Sequence, residues 1–230
     1  MARESNNCIQ VNAYARTKVA LFVVVLLLLL SWATAAEDEA RAMRLQYTRP
    51  HKGEIATGHG TAFAVAENVL FTAAHNILSE EHKPFTTVRI EISGSWVPAK
   101  VLCWDRELDV ALLLVAAKLQ PLQLGFDPDE GDRVEFVGSM RGIPIASYRG
   151  VIERRWHGAT ARTLARVKFD HGMSGCPVIG RDGVVGVAVC GLPKDGDLDH
   201  ELGLFIPVSI IRWFIQQNRK ELSHGSKGKD

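Results

Sequence analysis

The sequence predicts an all-β protein, two antiparallel β-barrels packed together and closed by a short C-terminal helix. Three observations carry this. Apolar and polar residues alternate with period two through most of the chain after Thr48. The runs are short and broken by frequent turns, the pattern of a barrel or sandwich. They also fall into two groups, divided by a connector over 116–131 that is rich in Pro, Gly, Asp and Gln.

The chain has 230 residues and a formal net charge of +1, with 47% hydrophobic and 23% charged residues. That composition is globular and argues against long disorder. Near-neutral charge excludes a nucleic-acid binder that works by bulk basicity, so no nucleic-acid partner is expected. The first 36 residues read as a targeting segment. Arg16 and Lys18 precede twelve unbroken apolar residues, Val19–Leu30, and Ala33, Thr34, Ala35 and Ala36 supply the small residues of a signal-peptidase site. The rival is an uncleaved anchor, because the mostly apolar stretch 19–36 is near the shortest length that spans a bilayer. Either way the positive flank stays inside, which places the body outside the cytoplasm: secreted, periplasmic or membrane-anchored.

In the first half, Gly60–Val65 and Val69–Ala73 read as strands around a turn at 66–68. Val88–Ile92 alternates cleanly, Ser93-Gly94-Ser95 turns into Trp96–Cys103, and Val110–Val115 is a continuous buried run. In the second half, strands are expected at Arg133–Gly138, Ile145–Arg149, Gly150–Arg154 and Thr163–Phe169. A hairpin turns through 180–183 into Val184–Cys190, and Gly203–Val208 ends the series. Ser209 is placed to cap a helix whose Ile210, Ile211, Phe214 and Ile215 share a face. The expected organisation is a leader over 1–36, a globular domain over 37–217 with barrels at about 45–116 and 131–208, and a polar tail over 218–230.

Three short motifs carry chemistry. Thr72-Ala73-Ala74-His75 ends an apolar strand, Asp109 opens the run Val110–Leu113, and Gly172-Met173-Ser174-Gly175-Cys176-Pro177 is a glycine-flanked serine before a hairpin. Singly each is weak. In the order His, Asp, Ser they resemble the trypsin-like serine peptidases, most closely the HtrA/Deg branch. There a G-x-G-T-x-F strand leads to T-x-A-H, as Gly58–Phe63 leads to His75 here. D-[LV]-A-L-L matches Asp109–Leu113, and I-P-[VI] before a helix matches Ile206-Pro207-Val208. The match covers roughly residues 56–215.

The resemblance implies two six-stranded barrels and a serine endopeptidase that acts on proteins or peptides without a cofactor. Ser174 would be the nucleophile, His75 the general base and Asp109 its orienting partner. The N–H groups of Gly172 and Ser174 would form the oxyanion hole. No C-x-x-C pair and no H-E-x-x-H helix is present, so no metal site is expected. An α/β-hydrolase esterase is excluded by order, since its serine comes first and precedes a helix. The alternative is a catalytically silent trypsin-like binding module, for which the departures from the pattern count. Met173 stands where the family carries Asn or Asp, and Cys176 replaces the second glycine. Too few residues follow Trp213 for a PDZ module, so none is expected.

Specificity leaves two readings. Lys168, six residues before the serine, would favour an acidic P1 side chain if it pointed inward. If it points outward, Phe169 and Cys190 leave an apolar pocket for medium aliphatic residues. His171 is placed to line a subsite. Cys176 and Cys190 flank the predicted hairpin, which leaves open a disulfide or buried free thiols. Arg149, Arg154 and Arg155 read as a solvated face.

Overall fold

The computed structural model describes residues 41–51, 54–79, 83–85, 87–156, 161–194, 197–220 and 222, with Val23 and Val24. The chain divides into two units, Met1–Glu37 and Asp38–Asp230. In the first, Val23 and Val24 are helical and exposed; the rest of the expected leader lies outside the described residues, as does the tail over 223–230. Among the described residues no helix is long and apolar enough to cross a membrane.

The second unit holds two closed antiparallel barrels of six strands each. The first is built from β1 (Met43–His51), β2 (Glu54–Ala66), β3 (Val69–Thr72), β4 (Thr87–Ile92), β5 (Ser95–Asp105) and β6 (Val110–Val115), in the order β1-β2-β3-β6-β5-β4. The second is built from β7 (Arg133–Gly138), β8 (Ala146–Trp156), β9 (Arg162–Arg166), β10 (Pro177–Gly180), β11 (Gly183–Lys194) and β12 (Asp197–Pro207), in the order β10-β11-β12-β9-β8-β7. Helix α1 (Val208–Gln217) follows. The two barrels are as the alternation predicts, because closure gives every strand one inward face and one outward face.

Each barrel encloses its own core. Leu45, Leu70, Ile90 and Leu113 fill the first, and Phe136, Phe169, Met173, Val178 and Phe205 fill the second. A third cluster joins them. Phe63, Phe71 and Leu112, on the outside of the first barrel, pack against Val187 and Ile206 and against Ile211 and Phe214 of α1. Phe71 and Phe214 meet edge to face at 6.1 Å. The helix is thus held by its apolar stripe.

Four local readings change. Strand β1 is absent from the sequence reading, which takes up the alternation only after Thr48, although Met43, Leu45 and Tyr47 already alternate with Arg44, Gln46 and Thr48; it pairs with β2 from Met43↔Ala62 to His51↔Glu54. The break expected at Gly150 does not exist, and β8 runs straight through it. A Cβ there would lie 2.8 Å from the Arg166 carbonyl oxygen, so this glycine allows close strand packing and makes no turn. Strand β9 stops at Arg166, and Val167–Phe169 leave the sheet while keeping their in-out alternation. Finally, Ser209 does not cap α1. The helix begins at Val208, and the Ser209 N–H donates to Asp127 Oδ1 at 2.9 Å, a cap supplied by the connector.

Phe136 is fully buried and meets both Phe169 and Phe205 edge to face. Phe136→Ala is expected to destabilise the protein by about 3–5 kcal/mol, read as a shift in urea midpoint without a change of fold.

Candidate active site

Strand β3 ends in a single 3₁₀ turn, Ala74–Asn76, which carries His75. Opposite it, the turn between β5 and β6 brings up Asp109. Asp109 has φ +59°, a left-handed conformation that Asp tolerates better than most side chains. The turn is held from within, because Asp105 Oδ1 accepts the Leu108 N–H at 2.9 Å. The Asp109 carboxylate then grips His75 twice. Oδ1 accepts its backbone N–H at 2.9 Å and Oδ2 meets ring Nδ1 at 2.8 Å. A carboxylate only accepts, so Nδ1 carries the proton and a neutral ring keeps its lone pair on Nε2.

Ser174 enters from the second barrel on the loop between β9 and β10. Its Oγ donates to the Val189 carbonyl at 3.0 Å. Val189 is the extra residue of a bulge in β11, since Ala188 pairs with Phe205 and Cys190 with Leu204. The bulge frees that carbonyl from the ladder. The Ser174 carbonyl accepts the Thr61 N–H at 2.9 Å and Asn76 Nδ2 at 2.8 Å, both from the first barrel.

The loop before Ser174 is held on all sides. Arg141 N–H donates to the His171 carbonyl at 2.6 Å, and Thr61 Oγ1 donates to the Gly172 carbonyl at 2.8 Å. Gly172 has φ +92°, and a Cβ on it would lie 2.4 Å from the Ser139 carbonyl oxygen, so only glycine fits. In a trans peptide the N–H points opposite the preceding carbonyl, so the Gly172 N–H is directed away from Arg141. Among the described residues, the N–H groups of Gly172 and Ser174 donate to nothing. Gly172 is buried, and a buried unpaired donor is a feature that function has to explain.

Met173, which cannot form the polar contacts of an Asn or Asp, anchors the loop by packing instead. It is wholly buried in the second barrel's core. Asp170 supplies the polar support, accepting the His171 N–H at 2.7 Å and Arg141 Nε at 2.6 Å. Burial pushes its carboxyl up, but the His171 N–H and the Arg141 guanidinium more than offset this, and its pKa lies below the ordinary value.

A cleft of about 540 Å³ runs between the barrels, lined by His75, Asp109 and Ser174 together with apolar Phe169, Val189 and Leu204. His171 and Cys190 also line it. Lys168 does not. It is exposed and off the cleft, so the structure supplies no inward lysine to pair with an acidic P1 residue. Phe169, one residue on, takes the inward position. Cys103, Cys176 and Cys190 are free, which removes the disulfide. Cys176 is buried in the barrel core while Cys190 is exposed, so only the former fits the picture of a buried thiol. Partial desolvation on the cleft wall pushes the thiol of the otherwise exposed Cys190 up, with Asp109 adding to it, and full burial dominates the rise at Cys176. Ser174 is the nucleophile candidate because it shares the cleft with the His75–Asp109 pair, the base a hydroxyl needs.

Arg162 is a cleft residue that sequence reasoning missed. Its guanidinium reaches across from β9 to the carbonyls of Glu107 and Leu108 at 3.3 Å each, so it ties the Asp109 turn to the second barrel. No local pattern marks it, because the contact spans more than fifty residues of sequence. Thr61 and Asn76 are missed for the same reason.

A depressed carboxyl contributes stability that is fully present above its unfolded pKa of about 4 and is lost as pH falls through the lower folded value. The melting temperature of Asp170→Asn is therefore expected to lie below that of the unchanged protein at pH 7. The two should converge as pH drops below about 4; parallel curves would remove Asp170 from the loop's support.

Comparison with known proteins places this geometry. Residues 60–189 match the family model described as the trypsin-like peptidase domain. Among curated relatives, the Do-like protease 11, mitochondrial, of Arabidopsis thaliana is 29% identical over 74% of this chain and 30% of its own. Serine protease HTRA1B of Danio rerio is 25% identical over 75% and 37%. The chain thus spans about a third of the length of these relatives. Among solved structures, the HtrA-type protease AlgW with tripeptide superposes with a TM-score of 0.69 at 20% identity, over 81% of this chain and 63% of that one. A protease from M. tuberculosis in its active form superposes with a TM-score of 0.67 at 21% identity, over 80% and 82%. Fold, matched span and HtrA-type relatives agree, and the chain belongs to the trypsin-like peptidase family.

Proposed function

We propose that the protein is a serine endopeptidase of the HtrA type that cleaves proteins or peptides outside the cytoplasm. The observation that carries this is the doubly bonded Asp109–His75 pair facing a serine across an inter-barrel cleft. Ser174 Oγ attacks the scissile carbonyl, and His75 Nε2 takes its proton and later returns it to the leaving amine. Asp109 fixes the tautomer and stabilises the imidazolium. The unpaired N–H groups of Gly172 and Ser174 receive the developing oxyanion. No cofactor is needed for these steps. The apolar wall of Phe169, Val189 and Leu204 favours a medium aliphatic P1 residue.

One observation favours the alternative of a catalytically silent binding module: the Ser174 hydroxyl is turned to the Val189 carbonyl. Rotation about one side-chain bond releases it, and catalytic hydrogen bonds commonly tighten only once substrate is bound. Hydrolysis of a protein substrate separates the two readings. Ser174→Ala and His75→Ala should each abolish it, and Asp109→Asn should lower turnover roughly 10⁴-fold. Equal rates for Ser174→Ala and the unchanged protein, or no labelling by a fluorophosphonate probe, would establish the silent module.

Export rests on the order of charged, apolar and small residues over 16–36, either as a cleaved signal or as a membrane anchor through 19–36. N-terminal sequencing of protein recovered outside the cytoplasm should begin after Ala35 or Ala36. A retained leader in the membrane fraction would establish the anchor, and recovery from the cytoplasm would reject both.

A further inference from the structure

The second barrel carries a groove that shares no lining residue with the cleft. It has a volume of about 700 Å³ and is formed on the outer face of β7, β8, β9 and β10. Strand register assembles it. Arg133 pairs with Val151, which pairs in turn with Arg166, and in the next row Ile179 pairs with Glu135 and Glu135 with Arg149. Arg181 from the β10–β11 turn and Arg41 from the start of the domain complete the rim. Among the described residues, five guanidinium groups therefore line one groove against a single carboxylate, in a chain whose net charge is only +1.

Some of that charge is already used. Arg41 pairs with Glu135 at 2.7 Å, and Arg166 pairs with Glu153. Arg133, Arg149 and Arg181 are exposed and have no carboxylate partner among the described residues. Three unpaired guanidinium groups crowded in one concavity repel one another, a cost that an anionic ligand would relieve. The floor between them is apolar, with Val151 41% exposed and Ile179 partly buried.

We propose that this groove binds an extended acidic segment of a partner protein, with carboxylates alternating with aliphatic side chains. The guanidinium forks match carboxylates in geometry, and the floor accepts the aliphatic residues between them. Recognition is by side chains, because the barrel is closed and offers no free strand edge for β-augmentation. A membrane surface fits less well, since the arginines surround a concavity. A nucleic acid fits less well too, since Glu135 sits among them and, among the described residues, no aromatic ring lines the groove for base stacking.

The test uses the full chain carrying Ser174→Ala, so that the peptide is not cleaved, in non-ionic detergent with a fluorescein-labelled peptide of alternating Glu and Val. Fluorescence anisotropy should rise saturably for this peptide and not for its Gln-Val counterpart. Affinity should fall about tenfold or more in the combined variant Arg133→Gln, Arg149→Gln, Arg181→Gln, and also as ionic strength rises from about 50 to about 300 mM. The three side chains are exposed, so an unchanged melting temperature is expected to show that the combined variant folds. Glu135→Gln should tighten binding. Equal binding of the Gln-Val peptide, or undiminished binding by the combined variant, would overturn the proposal. So would capture of anionic vesicles or an oligonucleotide, but not of the acidic peptide, through the same arginines.

Discussion

The active architecture depends on one buried residue, Thr61, at the seam between the barrels. Its N–H donates to the Ser174 carbonyl, its hydroxyl donates to the Gly172 carbonyl and accepts the Ser139 N–H, and its carbonyl accepts the Thr72 hydroxyl. Every polar group of a fully buried residue is thus paired, across segments drawn from both halves of the chain. Leaving any of these groups unpaired in the dry seam would cost about 1–3 kcal/mol, so the partners hold one geometry. That geometry is what aims Ser174 at the cleft. Asn76, next to His75, adds a second bond to the same Ser174 carbonyl and ties the histidine's turn to the serine's loop.

The serine loop shows how a substitution in a family pattern is compensated. Met173 replaces a polar anchor with apolar burial, and Asp170 with Arg141 takes over the hydrogen bonding. The exchange is workable because Met fills irregular core space readily, while the backbone carbonyls of His171 and Gly172 are still satisfied from outside the loop. What stays unpaired is the pair of N–H groups that the proposed chemistry uses. The Asp109 turn follows similar logic, with Arg162 and Asp105 bracing a left-handed residue whose carboxylate must face His75.

Charge is distributed unevenly over the surface. The arginine groove lies on the outward face of the second barrel, while the cleft sets Phe169, Val189 and Leu204 beside both signs of charge, Arg162 and Asp170. Outward positions of a closed barrel are free of core packing, so charge can accumulate there without disturbing the fold.

Period-two alternation determined the two barrels, because the in-out geometry of a strand is local and can be read along the chain. The same holds for α1 with its helical spacing and for the order of His75, Asp109 and Ser174, each placed at the end or start of a recognisable run. Register and packing decided the rest. Whether Lys168 or Phe169 faces inward depends on how the chain leaves β9, and whether Gly150 turns or packs depends on the Arg166 backbone beside it. Cys176 and Cys190 stay apart because one lies in a barrel core and the other on the cleft wall. Arg162 and Asn76 reach their partners, and the five groove arginines come together, only when separate segments of the chain pair. Closing a barrel creates such contacts, and no local pattern records them, because the energy that selects them comes from surfaces that meet only after folding.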